Sequence, residues 1–373
     1  MSDIVKCSWC GEPVQIVPTG WQPGKAAYCH AHMGIAGRNP YNVGHVALSE
    51  AVDLQDADAA QFLRWPWESV HELAGVLVPR RVYYVAAFPG NGKTSFLAQC
   101  FAHWLSQGAN VTYLPLESDP SETMTRVACA RAGVSADEAL SMRLKLREEA
   151  GDPIAAAQRA RLLDAFTALR KDDDFLYSFR IDPTDTLSPL EFQKVIRAVK
   201  EMESDVLIVD HVDHAEADAN DNSPEIKTSN KIQQMALHAA RSLSIPVVLA
   251  TQLNSRAAGG DRLAHYRAPL MDWLWNKGKK EQIAAVCLGL YRPIDPAKVA
   301  DIPDVRSGLK EPHVIAKPNR MGVSGMKLRF GGERKERSVE LQYEHGTLSD
   351  LPVAELWADE QSEHGIRTHW EDR

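Results

Sequence analysis

The sequence predicts an α/β fold whose mainly parallel sheet is covered by helices on both faces, preceded by a small Cys/His-rich module. Three observations carry that expectation. A glycine-rich turn, Ala87-Phe88-Pro89-Gly90-Asn91-Gly92-Lys93-Thr94-Ser95, lies directly between an apolar run at 82–86 and a helix-forming stretch. From about residue 71 short apolar runs alternate with helical patterns, the rhythm of strands joined by crossover helices. The first 45 residues, by contrast, hold glycine, proline, aromatic and Cys/His residues with little periodic apolar pattern.

In chain order, Cys7-Ser-Trp-Cys10-Gly11 is a C-x2-C knuckle, and Cys29-His30-Ala31-His32 follows after a loop. With His32 as fourth ligand the pattern is C-x2-C-x18-C-x2-H, a soft-ligand set suited to tetrahedral structural zinc; His30 is the competing fourth ligand. So small a module buries too little apolar surface to fold alone, so metal is expected to stabilise it. The metal-free alternative is a set of surface thiols and a histidine pair. Residues 46–70 read as a linker with a helix that breaks at Trp65-Pro66-Trp67, where proline removes a donor and restricts its predecessor. The α/β domain is expected over 71–345, with strands at 82–87, 111–116, 206–210, 246–251 and 286–291. Two later strands, 313–317 and 327–330, are expected to flank a turn-rich hairpin link, Pro318-Asn319-Arg320-Met321-Gly322. Between 120 and 200 the pattern is helical, including 155–170 and 190–202, the latter opened by Ser188-Pro189 as cap and first turn. The tail at 346–373 is polar and is assigned no fold.

A chain of 373 residues has room for one large domain or two to three ordinary ones. The net charge of −8 means that any contact with nucleic acid must come from local basic loops. No stretch approaches the roughly 18 uninterrupted apolar residues of a membrane span, and the N-terminus has no signal-peptide pattern, so the expected location is the cytoplasm. Six unevenly spaced cysteines do not form a disulfide framework; Cys100, Cys129 and Cys287, in apolar runs, are expected to be buried thiols.

The glycine-rich turn carries the chemistry. Small residues let consecutive backbone N–H groups wrap phosphates, a lysine reaches the outer ones, and a hydroxyl serves magnesium, all at a helix N-terminus. Gly90, Gly92, Lys93 and Thr94 supply these parts, with Ala87, Pro89, Asn91 and Ser95 completing the loop; Ala87 stands where the usual G-x4-G-K-T has its first glycine. A nucleoside triphosphate is the expected ligand. The apolar run 206–209 ends in Asp210, the arrangement by which such a loop's Mg2+ is held between an acid and the Thr94 hydroxyl. Glu117 closes the run 111–116, where its carboxylate could activate the attacking water or, alternatively, cap a helix or lie solvated. Gln252 ends the run 246–251 at the sheet's carboxyl edge, placed to sense a terminal phosphate or to cap its strand.

The succession of the loop, PLES, LIVDHVD, TQLNSR, WNKGKKEQIAAVCLGLYR and IAKPNRMGVSGMKLRF resembles the RecA-like motor domain of DnaB-type replicative helicases over roughly residues 70–332. The resemblance implies a RecA-like P-loop NTPase core with Glu117 as catalytic carboxylate, Asp210 as magnesium-side acid and Gln252 as sensor. It makes Lys317 and Arg320 similar to the basic pair that reaches the next subunit's γ-phosphate, which requires a homo-oligomeric ring or filament. The family writes K-Q-R-N-G where this chain has K-P-N-R-M-G, one residue longer, so the two roles are open between Lys317 and Arg320. Loops after the sensor face the family's central channel, so Arg256, Arg262, Lys277, Lys279 and Lys280 are candidates for phosphates of single-stranded DNA, against the alternative of a flexible loop and a solvated charge cluster. The family's helical N-terminal collar is not seen and the Cys/His module is too short for a primase site, so the sequence resembles a stripped-down motor of the sort phage genomes carry. The implied function is an ATP- and Mg2+-dependent helicase or translocase working with other replication or recombination proteins. The alternatives are an ATP-switched single-stranded-DNA-binding or loader protein, and a strand-exchange protein, which the C-terminal motifs disfavour.

Overall fold

The computed structural model describes residues 62–171, 176–178, 187–214, 225–254, 264–274, 277–294, 300–303, 310–313, 317, 319–329, 338–344 and 347–351. The chain divides into two compact units, Met1–Gln61 and Phe62–Arg373, and the fold below is that of the second. Cys7, Cys10, Cys29, His30 and His32 lie outside the described residues.

One nine-stranded sheet organises the unit. Its strands are β1 (Val82–Ala87), β2 (Val111–Pro115), β3 (Leu176–Ser178), β4 (Val206–Asp210), β5 (Val247–Gln252), β6 (Ala284–Tyr291), β9 (Arg320–Leu328), β10 (Ser338–Glu344) and β11 (Thr347–Asp350), and β7 (Ala300–Pro303) with β8 (Lys310–His313) forms a separate pair. The order across the sheet is β11-β10-β9-β6-β1-β5-β4-β2-β3. From β3 to β6 every pairing is parallel, and β9, β10 and β11 add an antiparallel edge. The parallel strands are uninterrupted apolar runs because helices cover both faces. In β1, Tyr83, Val85 and Ala87 enter one core beside α2 (Lys93–Ser106), α3 (Pro120–Ala132) and α6 (Pro153–Lys171), while Val82, Tyr84 and Ala86 enter the other beside α7 (Pro189–Glu201) and α8 (Glu225–Leu243).

The expected strands at 82–87 and 206–210 coincide with β1 and β4, and those at 111–116, 246–251 and 286–291 lie within a residue or two of β2, β5 and β6. Ser188 caps α7, its hydroxyl accepting from the Glu191 N–H, with Pro189 in the first turn as expected. Cys100, Cys129 and Cys287 are buried free thiols. Burial pushes the Cys287 thiol up to about 12, so it behaves as a small hydrophobe.

Two expectations need correction. Residues 319–322 form no hairpin link: Asn319 takes a left-handed φ of 57°, but Arg320, Met321 and Gly322 already belong to β9, paired with β6 and β10. Gly322 serves close approach, since a Cβ there would stand 2.2 Å from the Tyr291 ring. Residues 62–70, expected as linker, send three side chains into the core: Val70 is buried, as are Trp65 and Trp67, Trp65 against Tyr83, Phe96 and Trp104, and the Trp67 indole donates to the Leu348 carbonyl at 2.9 Å. That bond and the Gln99 side chain, which accepts from the Leu348 N–H, tie β11 to the domain although it falls in the polar stretch beyond 345.

Candidate active site

The glycine-rich turn joins β1 to α2 as expected. Gly90 and Gly92 have φ of 78° and 81°, values that a side chain disfavours. Gly92 stands immediately before Lys93, so the open N–H groups of the first turn of α2 face the cavity with no acidic residue in that turn to compete. The turn is braced from outside. Asn91 donates to the His265 carbonyl at 3.2 Å, Phe88 stacks on the His265 ring at 4.3 Å, and the Arg292 guanidinium donates to the Gly90 carbonyl at 2.8 Å. Ala87, the residue in place of the first glycine, is buried at the end of β1, its carbonyl accepting from the Leu253 N–H.

Three side chains converge on Asp210 at the end of β4. Thr94 and Tyr113 each donate a hydroxyl to its Oδ2 at 2.9 Å, and the Lys93 ammonium stands 3.7 Å from Oδ1. Asp210 is buried, and its Oδ1 accepts no hydrogen bond. A buried carboxylate oxygen left without a donor is costly unless a cation takes it. Because Thr94 gives its proton to Oδ2, its oxygen keeps lone pairs for the same cation. The donor set therefore fits Mg2+, a hard ion that prefers oxygen. Burial and then the Asp210 charge push the Tyr113 phenol well above its ordinary pKa, so it remains a donor.

A cavity of about 720 Å³ opens over the turn, lined by Pro89 to Ser95, Glu117, Gln252, Lys317 and Arg320. The structure thus brings together every residue expected at this chain's own nucleotide except the buried supports Ala87 and Asp210, and it sets Lys317 and Arg320, expected at the next subunit's phosphate, on the wall of the same cavity. Arg126, Tyr291, Arg292 and Tyr343 also line it, offering cationic and flat aromatic surface that suits a nucleotide. Lys317 is held by the Glu340 carboxylate at 3.0 and 3.2 Å.

Behind Glu117 and Gln252 lies a layer that sequence reading did not single out. The His211 Nε2 is 2.8 Å from the Gln252 amide nitrogen and 3.4 Å from Glu117 Oε2. Asp213 accepts from the Thr251 hydroxyl, the Gln252 N–H and the Lys280 ammonium, each at 2.7 Å. Burial works to raise the Asp213 pKa, but the Lys280 charge and these hydrogen bonds outweigh it and hold the group below its ordinary value. Lys280, expected at DNA phosphates, is fully buried, so its contribution is to neutralise Asp213. Its place on α9 (Lys277–Ile283), which packs against α8, gives the physical reason: the helix turns that position inward. Lys279 is part-exposed on the same helix, and Arg256 and Arg262 and the side chain of Lys277 lie outside the described residues. The available signal for the missed layer was the run Asp210-His211-Val212-Asp213, whose two extra polar residues directly follow a buried strand. Tyr113 carried no such signal, since only the β2 to β4 register brings it beside Asp210. Among the described residues no cluster of three His, Cys, Asp or Glu could hold a metal, and no helix is long and apolar enough to cross a membrane.

Comparison with known proteins agrees with this geometry. The chain is similar in fold to "The Structure Of A DnaB-Like Replicative Helicase And Its Interactions With Primase", with TM-score 0.62 and 17% identity over 86% of this chain and 70% of that one. It is similar to the "ATPase Domain of G40P" with TM-score 0.63 and 17% identity over 84% of this chain and 100% of that one. At such identity the likeness speaks for the fold, which is RecA-like. No curated protein sequence matches. The family described as DnaB-like helicase C terminal domain matches residues 67–336, most of the chain and all of the site just described but Glu340 and Tyr343. By that match, the chain belongs to the DnaB-like helicase C-terminal domain family, a helicase-type, ATP-hydrolysing group.

Proposed function

We propose that the protein is a Mg2+-dependent ATPase that assembles with further copies of itself and couples hydrolysis to movement along, or unwinding of, DNA in replication or recombination. The carrying observation is the convergence of Lys93 and Thr94 on Asp210, with Glu117 and Gln252 facing the same cavity. Lys93 and the loop N–H groups take the phosphates. Thr94 and Asp210 hold the metal, which when bound neutralises charge on the terminal phosphates and keeps them in register. Glu117, half exposed at the cavity wall, orients and deprotonates the attacking water, and Gln252 hydrogen-bonds the terminal phosphate.

Lys317 and Arg320 stand at the edge of the same cavity, on the antiparallel side of the sheet. From there one of them completes the site of an adjoining copy, a role worth on the order of 10^3 to 10^5 in turnover in related chemistry. Arg256, Arg262, Lys277 and Lys279 are the contacts proposed for single-stranded DNA. Cys7, Cys10, Cys29 and His32, with His30 competing for the last place, are proposed to bind one structural zinc, which elemental analysis of the purified chain detects.

The test is ATP turnover with and without single-stranded DNA, alongside unwinding of a forked duplex. DNA-stimulated turnover with unwinding supports the motor. ATP-responsive DNA binding without unwinding instead identifies an ATP-switched binding or loader protein. Lys93→Ala is expected to abolish hydrolysis, and wild-type rates in that variant refute the assignment of the loop. Mixing Arg320→Ala with Glu117→Gln subunits is expected to restore part of the lost activity; no rescue at any ratio counts against a shared site.

A further inference from the structure

We propose that His211 is a positioning residue that couples the sensor amide to the catalytic carboxylate: a proton on its Nε2 serves Gln252 until a terminal phosphate draws that amide away, and then serves Glu117. This rests on the functional reading above and adds how phosphate sensing and water activation are linked.

Topology makes His211 the natural connection. Glu117 follows β2 and Gln252 ends β5, and these strands are not neighbours: β4 runs between them. A short hydrogen-bonded link between the two groups must therefore pass over the carboxyl end of β4, where His211 directly follows Asp210. His211 is buried, and its Nε2 lies 2.8 Å from the Gln252 amide nitrogen and 3.4 Å from Glu117 Oε2. An ionised carboxylate only accepts, so the Glu117 contact is served by a proton on Nε2. The Gln252 amide turns its nitrogen to the ring in this structure; rotated by half a turn about its last torsion it presents its oxygen instead and accepts that same proton. With the amide so turned, one donor faces two acceptors, the nearer being the sensor.

The rest of the layer anchors the sensor beside the ring. The other ring nitrogen lies 3.7 Å from Asp213 Oδ2, the oxygen that also accepts from the Gln252 N–H and the Thr251 hydroxyl, while Lys280 holds Oδ1. The acid that anchors the backbone of the sensor therefore stands beside the ring. Glu117 lies in the bend after β2 with its side chain 54% exposed, so an added donor removes rotameric freedom from the group that must aim a water.

The experiment is steady-state ATP hydrolysis by the full chain, comparing wild type, His211→Ala, His211→Gln, Glu117→Gln and the His211→Ala/Glu117→Gln pair. His211→Ala is expected to lower kcat by about tenfold or more with KM for ATP unchanged within about twofold, as for a group that acts after binding. His211→Gln, whose amide N–H can take the place of Nε2–H, is expected to restore most of the loss. Adding His211→Ala to Glu117→Gln is expected to cost less than about twofold more, because the two residues act as one unit. Wild-type kcat in His211→Ala, a loss carried by KM, or fully multiplicative losses in the pair overturn the proposal. Should alanine unfold the chain, His211→Asn fills the space with an amide too short for Glu117; it is expected to lose turnover, and wild-type turnover there overturns the proposal. Absence of hydrolysis in the wild type would sink the functional reading and this inference together, whereas normal wild-type turnover with an indifferent His211 sinks this inference alone.

Discussion

Replacing Lys280 by methionine separates a buried counter-ion from a DNA contact. The side chain is fully buried and its ammonium lies 2.7 Å from Asp213 Oδ1 and 2.5 Å from the Thr251 hydroxyl. Methionine fills a similar volume, so packing changes little, but Asp213 is left as a buried carboxylate without its cation. Removing one partner of such a pair costs about 3–5 kcal/mol, most of it the cost of the stranded charge. At roughly 2–4 °C per kcal/mol for a large domain, the thermal midpoint should fall by about 6–20 °C. The Asp213→Asn/Lys280→Met pair strands no charge and is expected to recover most of that loss. Thermal and urea unfolding measure stability, and a salt titration of single-stranded DNA binding measures phosphate contacts. An unchanged midpoint in Lys280→Met, with the salt slope reduced by about 0.7 for one lost phosphate contact on a single strand, would refute the counter-ion reasoning.

Other perturbations test the site piece by piece. Gly92→Ala forces a side chain into a φ of 81° and sets its Cβ 2.6 Å from the Met321 methyl, so nucleotide affinity should fall, with backbone strain alone near 1–2 kcal/mol; adding Met321→Ala should recover only part of it by equilibrium binding. Tyr113→Phe removes one of the two hydroxyls on Asp210 Oδ2, a loss of about 1.5–3 kcal/mol for a bond to a charged group, and should raise the Mg2+ needed for half-maximal hydrolysis. The Asp213 pKa is depressed in the fold, so its stabilisation is complete above the unfolded value near 4 and is lost as pH falls through the folded value. Acid unfolding should accordingly show a shallower pH dependence below about 4 in the Asp213→Asn/Lys280→Met pair than in wild type. An equal slope in the two removes Asp213 as a source of acid sensitivity.

The parts of the fold that could be read in advance share one property, a local signal. β1 and β4 are apolar runs bounded by a turn glycine and an acid, and α7 opens with a Ser-Pro cap, so strand, turn and helix are each written within a few adjacent residues. β10 and β11 escaped because their solvent-facing residues dilute the apolar pattern of an antiparallel edge, and their places are set by β9 and by bonds to Trp67 and Gln99. Gly322 misled for a related reason: a glycine that turns a chain and one that lets a ring approach are the same letter.

The loop from Ala87 to Ser95, Asp210, Glu117 and Gln252 were legible from sequence because each lies at the carboxyl end of a buried strand, where the chain itself delivers a side chain to the edge of a parallel sheet. Which groups face one another there was not. Tyr113 meets Asp210, His211 stands between Glu117 and Gln252, and Lys280 sinks against Asp213 across 67 positions only because the strand order places β4 between β2 and β5 and packs α9 behind them. Local sequence sets what each strand end carries; the pairing of distant strands sets its neighbours, and for a buried charge the neighbour decides whether it binds a ligand or holds another side chain in place.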